Sequence, residues 1–271
     1  MALVIQGLLH RFGHADLGGA ELVVTQLLFK DSAGAEELVH GPLSVYFPTP
    51  VRNGASLIPG REFRYLVSIR MLEFRGVRVL QTPSELKAIL EELAAGVAEQ
   101  YKSATISEIP VVKAVRTIFH KTGVDPTRYR PSSEALLRRV LKGKGLYFIN
   151  SVVDVVNYFS LKTLLPMGVF DADCLKPPLE FRAGRDGETY QGVGRDVLNL
   201  AGFPLLADAE GPFGSAVSDS VRTRVTDRTT RLLWVIFVPP GAPAPDFAEF
   251  AATMIRFNGG AVDQNTVFHT A

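Results

Sequence analysis

The stretch at residues 138–173, RRVLKGKGLYFINSVVDVVNYFSLKTLLPMGVFDAD, decides how the rest of the chain is interpreted. Its middle part, NSVVDVVNYFSLK at 150–162, is apolar nearly all round, which predicts a buried helix capped by Asn150 or Ser151. LLPMGVFDAD at 164–173 predicts a strand that ends at Asp171. The stretch therefore predicts a buried helix that leads into a strand.

Upstream of this stretch, the pattern predicts three more helices and a strand. A basic helix begins after Pro131-Ser132-Ser133-Glu134, and helical spacing of apolar residues also runs from about 84 to 101 and from about 110 to 121. Partial alternation over 61–80 indicates a strand broken at Gly76. We interpret 1–60 as a β-rich N-terminal extension of unknown role and 61–271 as the main domain.

Downstream, the sequence changes to strand patterns and turns. LEFRAGRDGETYQGV at 179–193 predicts a hairpin around Asp186-Gly187. FPLLADAEG at 203–211 predicts a short strand and turn, GPFGSAVSDSVRTRVT at 211–226 a polar loop, and LLWVIFV at 232–238 a buried strand. Asp246-x-x-Glu249 is a capping pattern for a last helix that ends before Gly259.

The composition of the chain excludes several kinds of protein and of site. The chain has 271 residues, 46% of them hydrophobic, and a single cysteine, so an intrachain disulfide and a cysteine-rich zinc site are excluded. No apolar run approaches the roughly 18–20 residues that span a membrane, and the first residues make a poor signal peptide. We predict a cytoplasmic protein. Its net charge of +1 argues against a basic coat for indiscriminate nucleic-acid binding.

Two segments could carry chemistry. Between Lys113 and Lys144 there are nine basic and two acidic residues, which suits either phosphate contacts or a solvated helix face. The loop 214–223 concentrates hydroxyls, an acid and a cation, which suits either a ligand-facing loop or a turn bonded to its own backbone. Asp154 and Asn157 share a helix face and either orient a loop or form an internal hydrogen-bond network.

The order of these segments resembles a known family. The blocks that carry the resemblance are Arg138-Arg139-Val140-Leu141, Ile149-Asn150, Val152-Val153-Asp154-Val155, Asn157-Tyr158, Leu161, Pro166, Phe170-Asp171-Ala172-Asp173, Ala207-Asp208, Gly211–Gly214 and Val225-Thr226 with Thr229. Through them the chain, from about Ile109 to Phe237, resembles the B3/B4 tRNA-binding and editing domain of the phenylalanyl-tRNA synthetase β subunit. The resemblance implies an α+β fold with a mixed, partly barrel-like sheet flanked by helices.

The resemblance also implies a function, that of a freestanding hydrolase of misacylated tRNA acting at the 3′ acceptor end without cofactor or metal. It implies a catalytic loop with Ser218, Asp219, Ser220, Arg222 and Thr223. It implies a substrate pocket with Asn150, Asp154, Asn157, Gly168, Asp171, Gly214 and Ser215. Contacts with tRNA are expected from Arg130, Arg138, Arg139, Lys142 and Lys144.

One departure from the family pattern keeps other functions open. Gly168 stands where the synthetase domain has a pocket histidine, and glycine cannot donate a side-chain hydrogen bond. The alternatives are a non-catalytic tRNA- or RNA-binding module and a small-ligand protein that reuses the cleft. The sequence has no ATP-binding signature, so we do not expect a complete aminoacyl-tRNA synthetase.

Overall fold

The computed structural model describes residues 21–30, 36–46, 57–59, 67–243 and 245–269. The chain divides into two compact units, Met1–Gly54 and Ala55–Ala271. In the first unit, β1 (Glu21–Lys30) pairs antiparallel with β2 (Glu36–Tyr46). The described part of the predicted β-rich extension therefore contains two paired strands, whereas residues 1–20 lie outside the described residues. The domain boundary at residue 60 and the role of the extension stay predictions.

In the second unit, four helices follow one another between residues 84 and 163, and most of the strands come after them. Its elements, in chain order, are β3 (Leu57–Pro59), β4 (Ser68–Arg75), α1 (Ser84–Tyr101), α2 (Pro110–Lys121), α3 (Ser132–Leu141), α4 (Ser151–Thr163), β5 (Met167–Asp171), β6 (Leu179–Ala183), β7 (Thr189–Gln191), β8 (Val197–Asn199), β9 (Pro204–Asp208), β10 (Gly211–Ser215), β11 (Arg231–Val238), α5 (Phe247–Asn258) and β12 (Ala261–His269). No described helix has both the length and the apolar composition needed to cross a membrane.

The strands of the second unit form two four-stranded sheets and a small ribbon. One sheet has the order β10-β9-β6-β3, with β3 parallel to β6 and the other pairs antiparallel. The other sheet, in the order β12-β4-β11-β5, is antiparallel throughout. The ribbon consists of β7 and β8. The α+β prediction with a mixed sheet is confirmed, and neither sheet closes into a barrel within the described strands.

The antiparallel sheet separates two parts of the core, because β11 buries both of its faces. Leu232, Trp234 and Ile236 pack with residues of α1, α4 and α5. Leu233, Val235 and Phe237 alternate with them and pack with residues of β6, β9 and β10. Side chains on a strand point alternately to opposite faces, so a strand buried on both faces needs an unbroken apolar run such as LLWVIFV. The predicted buried strand is confirmed.

Several local predictions hold, two are wrong, and one strand was not predicted. Asn150 caps α4 by accepting hydrogen bonds from two backbone N–H groups, and Asp246 caps α5 in the same way, as predicted. The hairpin predicted at 179–193 is wrong, because β6 pairs with β9 and β3, whereas β7 pairs with β8. The predicted loop 211–226 begins with a strand, β10, whose Phe213 is fully buried. Strand β12 was not predicted.

Candidate functional site

The candidate site is the turn that follows β10 and carries Asp219. The turn is closed by backbone hydrogen bonds, in which the Ser215 N–H donates to the Ser218 carbonyl oxygen (3.1 Å) and the Ser220 N–H to that of Phe213 (2.9 Å). Asp219 thereby lies opposite Gly214 in an antiparallel bridge. The fold thus brings the turn back along β10 and presents the Asp219 side chain to β5.

Two glycines make room for that side chain. A Cβ atom at position 168 would lie 2.8 Å from Asp219 Oδ1 and 2.7 Å from Phe170 Cζ. A Cβ atom at position 214 would lie 2.4 Å from the same Phe170 atom and 3.5 Å from Asp219 Oδ1. The carboxyl group and the phenyl ring therefore occupy the space that side chains at both positions would need. The absence of a side chain at Gly168 is what allows Asp219 to lie against β5.

The surroundings of Asp219 favour its uncharged form. Burial raises the pKa of its carboxyl to about 8, while a hydrogen bond from the Val169 backbone N–H acts in the opposite direction. Desolvation disfavours the ionised form of a carboxyl, and a nearby cation would offset this effect. In the described part of the chain, no arginine or lysine forms an ion pair with this group. Asp219 is thus mostly protonated at neutral pH, yet close enough to its pKa to exchange a proton.

A buried tyrosine fixes the shape of the turn. The Tyr190 hydroxyl donates to the Ser218 carbonyl oxygen (2.6 Å) and lies 3.0 Å from Ser215 Oγ. Burial raises the pKa of Tyr190, so its hydroxyl remains a donor at neutral pH. Ser215 Oγ also accepts from the Val217 and Ser218 N–H groups (both 3.3 Å). Ser218 is partly exposed, and its hydroxyl lies 3.5 Å from the Asp219 carbonyl oxygen.

The other three residues predicted for the catalytic loop are engaged within the fold. Arg222 makes a bidentate ion pair with Asp208 (2.9 and 3.1 Å) and a further one with Glu210 (3.1 Å). Ser220 Oγ accepts from the Arg222 N–H (3.2 Å), and Thr223 Oγ1, fully buried, donates to a backbone carbonyl (3.3 Å). These contacts tie the 3₁₀ turn Val221–Thr223 to the end of β9 and to β10. Asp219 is thus the loop residue that remains as the candidate for chemistry.

The predicted pocket residues fall into separate places. Gly168, Gly214 and Ser215 surround Asp219. Asp171, at the end of β5, accepts from Thr229 Oγ1 (2.7 Å) and from the Asp173 backbone N–H (3.0 Å). The remaining three pocket candidates are on α4 or at its N-cap, and this helix packs on the opposite face of the antiparallel sheet: Asn150, Asp154 and Asn157.

Asp154 is the centre of an internal network rather than a part of the Asp219 site. It is fully buried and accepts hydrogen bonds from Thr82 Oγ1 (2.5 Å) and from the Ile149 N–H (3.1 Å). Burial raises the pKa of its carboxyl, and the hydrogen bonds from Thr82 and Ile149 act against that shift. The network joins the segment before α1 to the segment before α4, as one of the two sequence interpretations expected.

The predicted basic segment divides into two groups. Arg116 and Arg138 donate to the buried carboxylate of Glu134 (2.7–2.9 Å), and Arg130 Nε lies 3.8 Å from it. The other group is at the C-terminal end of α3, where Lys142 and Lys144 are exposed and Arg139 is partly exposed. The first group stabilises the fold around one acid, and the second faces solvent.

Sequence analysis missed three contributors to the site: Val169, Phe170 and Tyr190. Phe170 was visible as part of the family block, but its role depends on the ring filling the space beside Gly168 and Gly214. Tyr190 is the single apolar residue of a three-residue strand whose two other residues are exposed, and that pattern could have marked it as anchored. Among the described residues, no group of three or more His, Cys, Asp or Glu side chains could hold a metal ion.

Comparison with known proteins relates this part of the chain to a known domain. Residues 114–241 match the family model of the B3/4 domain. The phenylalanine–tRNA ligase β subunit of Bartonella henselae is 36% identical over 104 residues, which are 38% of this chain and 13% of that protein. The corresponding subunit of Xylella fastidiosa is 28% identical over 164 residues, 54% of this chain and 20% of that protein.

A solved structure also aligns with the chain. It is an N-terminal fragment of the phenylalanyl-tRNA synthetase β subunit from Pyrococcus horikoshii, at 14% identity and a TM-score of 0.37, and the alignment covers 79% of this chain and 54% of that one. The chain thus spans a fifth or less of the two curated relatives named above.

Proposed function

Because residues 114–241 form a B3/4 domain similar to the one in the phenylalanine–tRNA ligase β subunit, we infer that the chain has a function related to tRNA aminoacylation. We propose more specifically that it hydrolyses the ester bond of misacylated tRNA at the 3′ acceptor end. The observation that carries the proposal is the Asp219 carboxyl, held at a pKa of about 8 in a niche formed by Gly168 and Gly214. A carboxyl whose pKa is strongly shifted by its surroundings is a candidate for acid–base chemistry.

The reaction needs little from the protein beyond a positioned water and a proton acceptor. In its ionised form, Asp219 takes a proton from a water molecule as the water oxygen attacks the ester carbonyl carbon. The bond from that carbon to the ribose oxygen then breaks, and the ribose oxygen receives the proton. The products are the free amino acid and the tRNA with its hydroxyl restored. An aminoacyl ester is already reactive, so placement of the water supplies much of the rate enhancement.

The raised pKa of Asp219 gives the proposal a pH signature. At pH 7, a carboxyl with a pKa of about 8 is ionised in only about a tenth of the molecules. The enzymatic rate, after subtraction of the spontaneous hydrolysis, rises with pH and levels off above about 8. A base with an ordinary carboxyl pKa would give a flat profile over the same range.

The test is deacylation of a panel of mischarged tRNAs by the wild-type protein and by Asp219→Asn. We expect hydrolysis of at least one aminoacyl-tRNA pair and a loss of about 100-fold or more in the variant, the range for removal of a general base. Asp186→Asn is the matched control, because Asp186 is exposed in a turn away from the site, and it retains the full rate. Equal rates for wild-type and Asp219→Asn would remove the catalytic role of Asp219.

A second candidate is binding of tRNA without turnover. It is favoured by the Phe170 ring, which fills the space between Gly168 and Gly214 that a substrate group could otherwise use. On this account, the mischarged tRNAs bind to the protein but are hydrolysed no faster than in buffer. If they neither bind nor react, a small ligand of the cleft becomes the alternative. A tRNA partner also implies a cytoplasmic location, which stays a prediction.

A further inference from the structure

An exposed aromatic segment precedes α4 at the end of the molecule where α3 finishes. Tyr147, Phe148 and Ile149 are consecutive, and their exposed fractions are 58%, 39% and 60%. Leu80, 48% exposed, lies beside the start of α4, because its backbone N–H and carbonyl both bond to Ser151. Contiguous exposed apolar side chains of this size mark surfaces that bind something. We call these four residues the aromatic platform.

The platform is held in place although its segment has no regular secondary structure. The Ile149 N–H donates to both oxygens of the buried Asp154 carboxyl (3.1 and 3.2 Å). Asn150 caps α4 directly after it. On the other side, Arg139 donates to the Lys144 carbonyl oxygen (3.1 Å) and to the Tyr147 hydroxyl (2.8 Å). A surface ordered in advance loses less entropy when a ligand binds to it.

Cations surround the platform. The Arg139 guanidinium lies 3.6 Å from the centre of the Tyr147 ring, and Lys87 Nζ lies 5.5 Å from the centre of the Phe148 ring. Lys142 and Lys144 are exposed on the turn between α3 and the platform. The segment 135–149 contains no acidic residue. Aromatic rings flanked by cations on one surface suit a ligand that has both flat bases and a negatively charged backbone.

We propose that the aromatic platform binds single-stranded RNA, with bases stacked on Tyr147 and Phe148 and phosphates held by Arg139, Lys142 and Lys144. The proposal rests on the function proposed above and names the surface by which the RNA substrate is held. Single strands expose the faces of their bases, whereas a duplex keeps them stacked within the helix. The platform therefore selects unpaired RNA.

The platform and the Asp219 site are connected by α3. At the N-terminal end of this helix, the Ser132 N–H donates to the Ala216 carbonyl oxygen (2.8 Å), which belongs to the turn that carries Asp219. Lys142 follows the C-terminal end of the helix. The ten residues of α3 span about 15 Å, a distance that a few nucleotides of extended strand can cover. The helix thus links the platform to the turn that carries Asp219.

The test is the affinity of the full-length protein for a fluorescent oligoadenylate of about 12 nucleotides, measured by anisotropy. We expect Tyr147→Leu and Phe148→Leu each to weaken binding about 5- to 150-fold, because leucine keeps the apolar surface but has no face for stacking. Tyr147→Phe keeps the ring and binds within about twofold of wild-type. Equal loss in Tyr147→Phe and Tyr147→Leu would contradict stacking, as would unchanged binding in both leucine variants.

The phosphate contacts have their own readout. Each phosphate neutralised on a single strand contributes about 0.7 to the slope of log affinity against log salt concentration. Lys142→Gln and Lys144→Gln should each lower that slope by about 0.7, whereas Lys102→Gln, an exposed control that pairs with Glu99, leaves it unchanged. Equal slopes in all three variants would remove the lysines from the proposed surface. Matching thermal melts confirm that the variants fold.

Parallel deacylation assays separate this inference from the proposed function. Binding of the oligonucleotide that depends on Tyr147 and Phe148, without hydrolysis of any aminoacyl-tRNA, would support the platform and overturn the hydrolase. Hydrolysis that depends on Asp219, with unchanged binding in the leucine variants, would do the opposite. Failure of the wild-type protein to bind single-stranded RNA, or tighter binding of a duplex with the same sequence, would overturn the platform.

Discussion

Glu134 and Asp219 are two acidic side chains in neighbouring segments of the fold, and they differ in the groups that surround them. The segments are joined by the hydrogen bond from the Ser132 N–H to the Ala216 carbonyl oxygen (2.8 Å). Glu134 is 1% exposed and has two arginines bonded to it, Arg116 and Arg138. Asp219 is partly exposed as a residue, its side chain lies against glycines and a phenyl ring, and its carboxyl accepts a backbone N–H.

The pKa values of the two acids move in opposite directions. Burial pushes up the pKa of Glu134, but the hydrogen bonds from Arg116 and Arg138 outweigh it, and the net shift is downward. Burial also raises the pKa of Asp219. Its effect exceeds that of the hydrogen bond from the Val169 N–H, and the net shift is upward. Burial alone therefore does not make an acid reactive. An arginine partner keeps a buried carboxyl ionised and holds it in the fold. A carboxyl without a cation partner stays mostly protonated and can exchange its proton near neutral pH.

Removal of the Glu134 charge should have the largest effect on stability. Glu134→Gln leaves the two hydrogen-bonded arginines without their buried counter-charge, and we expect a loss of about 3–5 kcal/mol in the free energy of unfolding. Glu99→Gln, at an exposed pair with Lys102, should change it by less than about 1 kcal/mol. Urea denaturation measures both. Similar losses in the two variants would mean that Glu134 does not hold the arginine cluster together.

Asp219→Asn should change how stability depends on pH. The folded pKa of Asp219, about 8, is above its ordinary value of 3.8, so its contribution to stability is complete below about pH 4 and is lost as pH rises towards 8. The variant has no carboxyl at this position, so its unfolding free energy does not fall in this way as the pH rises. Relative to wild-type, it should gain about 3–4 kcal/mol in unfolding free energy between pH 5 and pH 8. Urea titrations at both pH values provide the comparison, and a constant difference would contradict the raised pKa.

A side chain at position 168 should disturb the niche of Asp219 by a smaller amount. Gly168→Ala places a Cβ atom 2.7 Å from Phe170 Cζ, so the ring or the carboxyl must shift, and we expect a loss of about 1–2 kcal/mol. Gly96→Ala is the control, because Gly96 lies in α1 with nothing within 4 Å of an added Cβ atom. It should gain up to about 1 kcal/mol from helix propensity. Thermal melts with the same sign for both variants would contradict the account.

The fold was predictable where a single periodicity decides the structure. The unbroken apolar run of β11 and the capped, apolar helix α4 follow from their own residues. The hairpin at 179–193 failed because Asp186-Gly187 is a good turn, whereas strand partners are chosen by packing: Phe181 of β6 is buried beside residues of β9 and β10. The Gly211–Gly214 segment suggested a loop, although Phe213 makes it a core strand.

The sequence predicted which loop carries the candidate site, but it did not predict which residues of that loop are placed for chemistry. Hydroxyls, Asp219 and Arg222 within ten residues indicated chemistry, and their residue types gave no way to rank them. Arg222 forms ion pairs with Asp208 and Glu210, which belong to an earlier segment of the sequence. Asp219 owes its environment to the missing side chains of Gly168 and Gly214. Both outcomes depend on contacts between segments, which a single sequence does not reveal.

The most direct test of the account is the pKa of Asp219 in the folded protein. Carbon-13 NMR of the aspartate carboxyl groups follows it, and Asp219→Asn assigns its signal. The account predicts a titration midpoint of about 8 for this carboxyl. A midpoint near its ordinary value of 3.8 would show that Asp219 is charged at neutral pH, and it would contradict the difference from Glu134 on which the proposed chemistry depends.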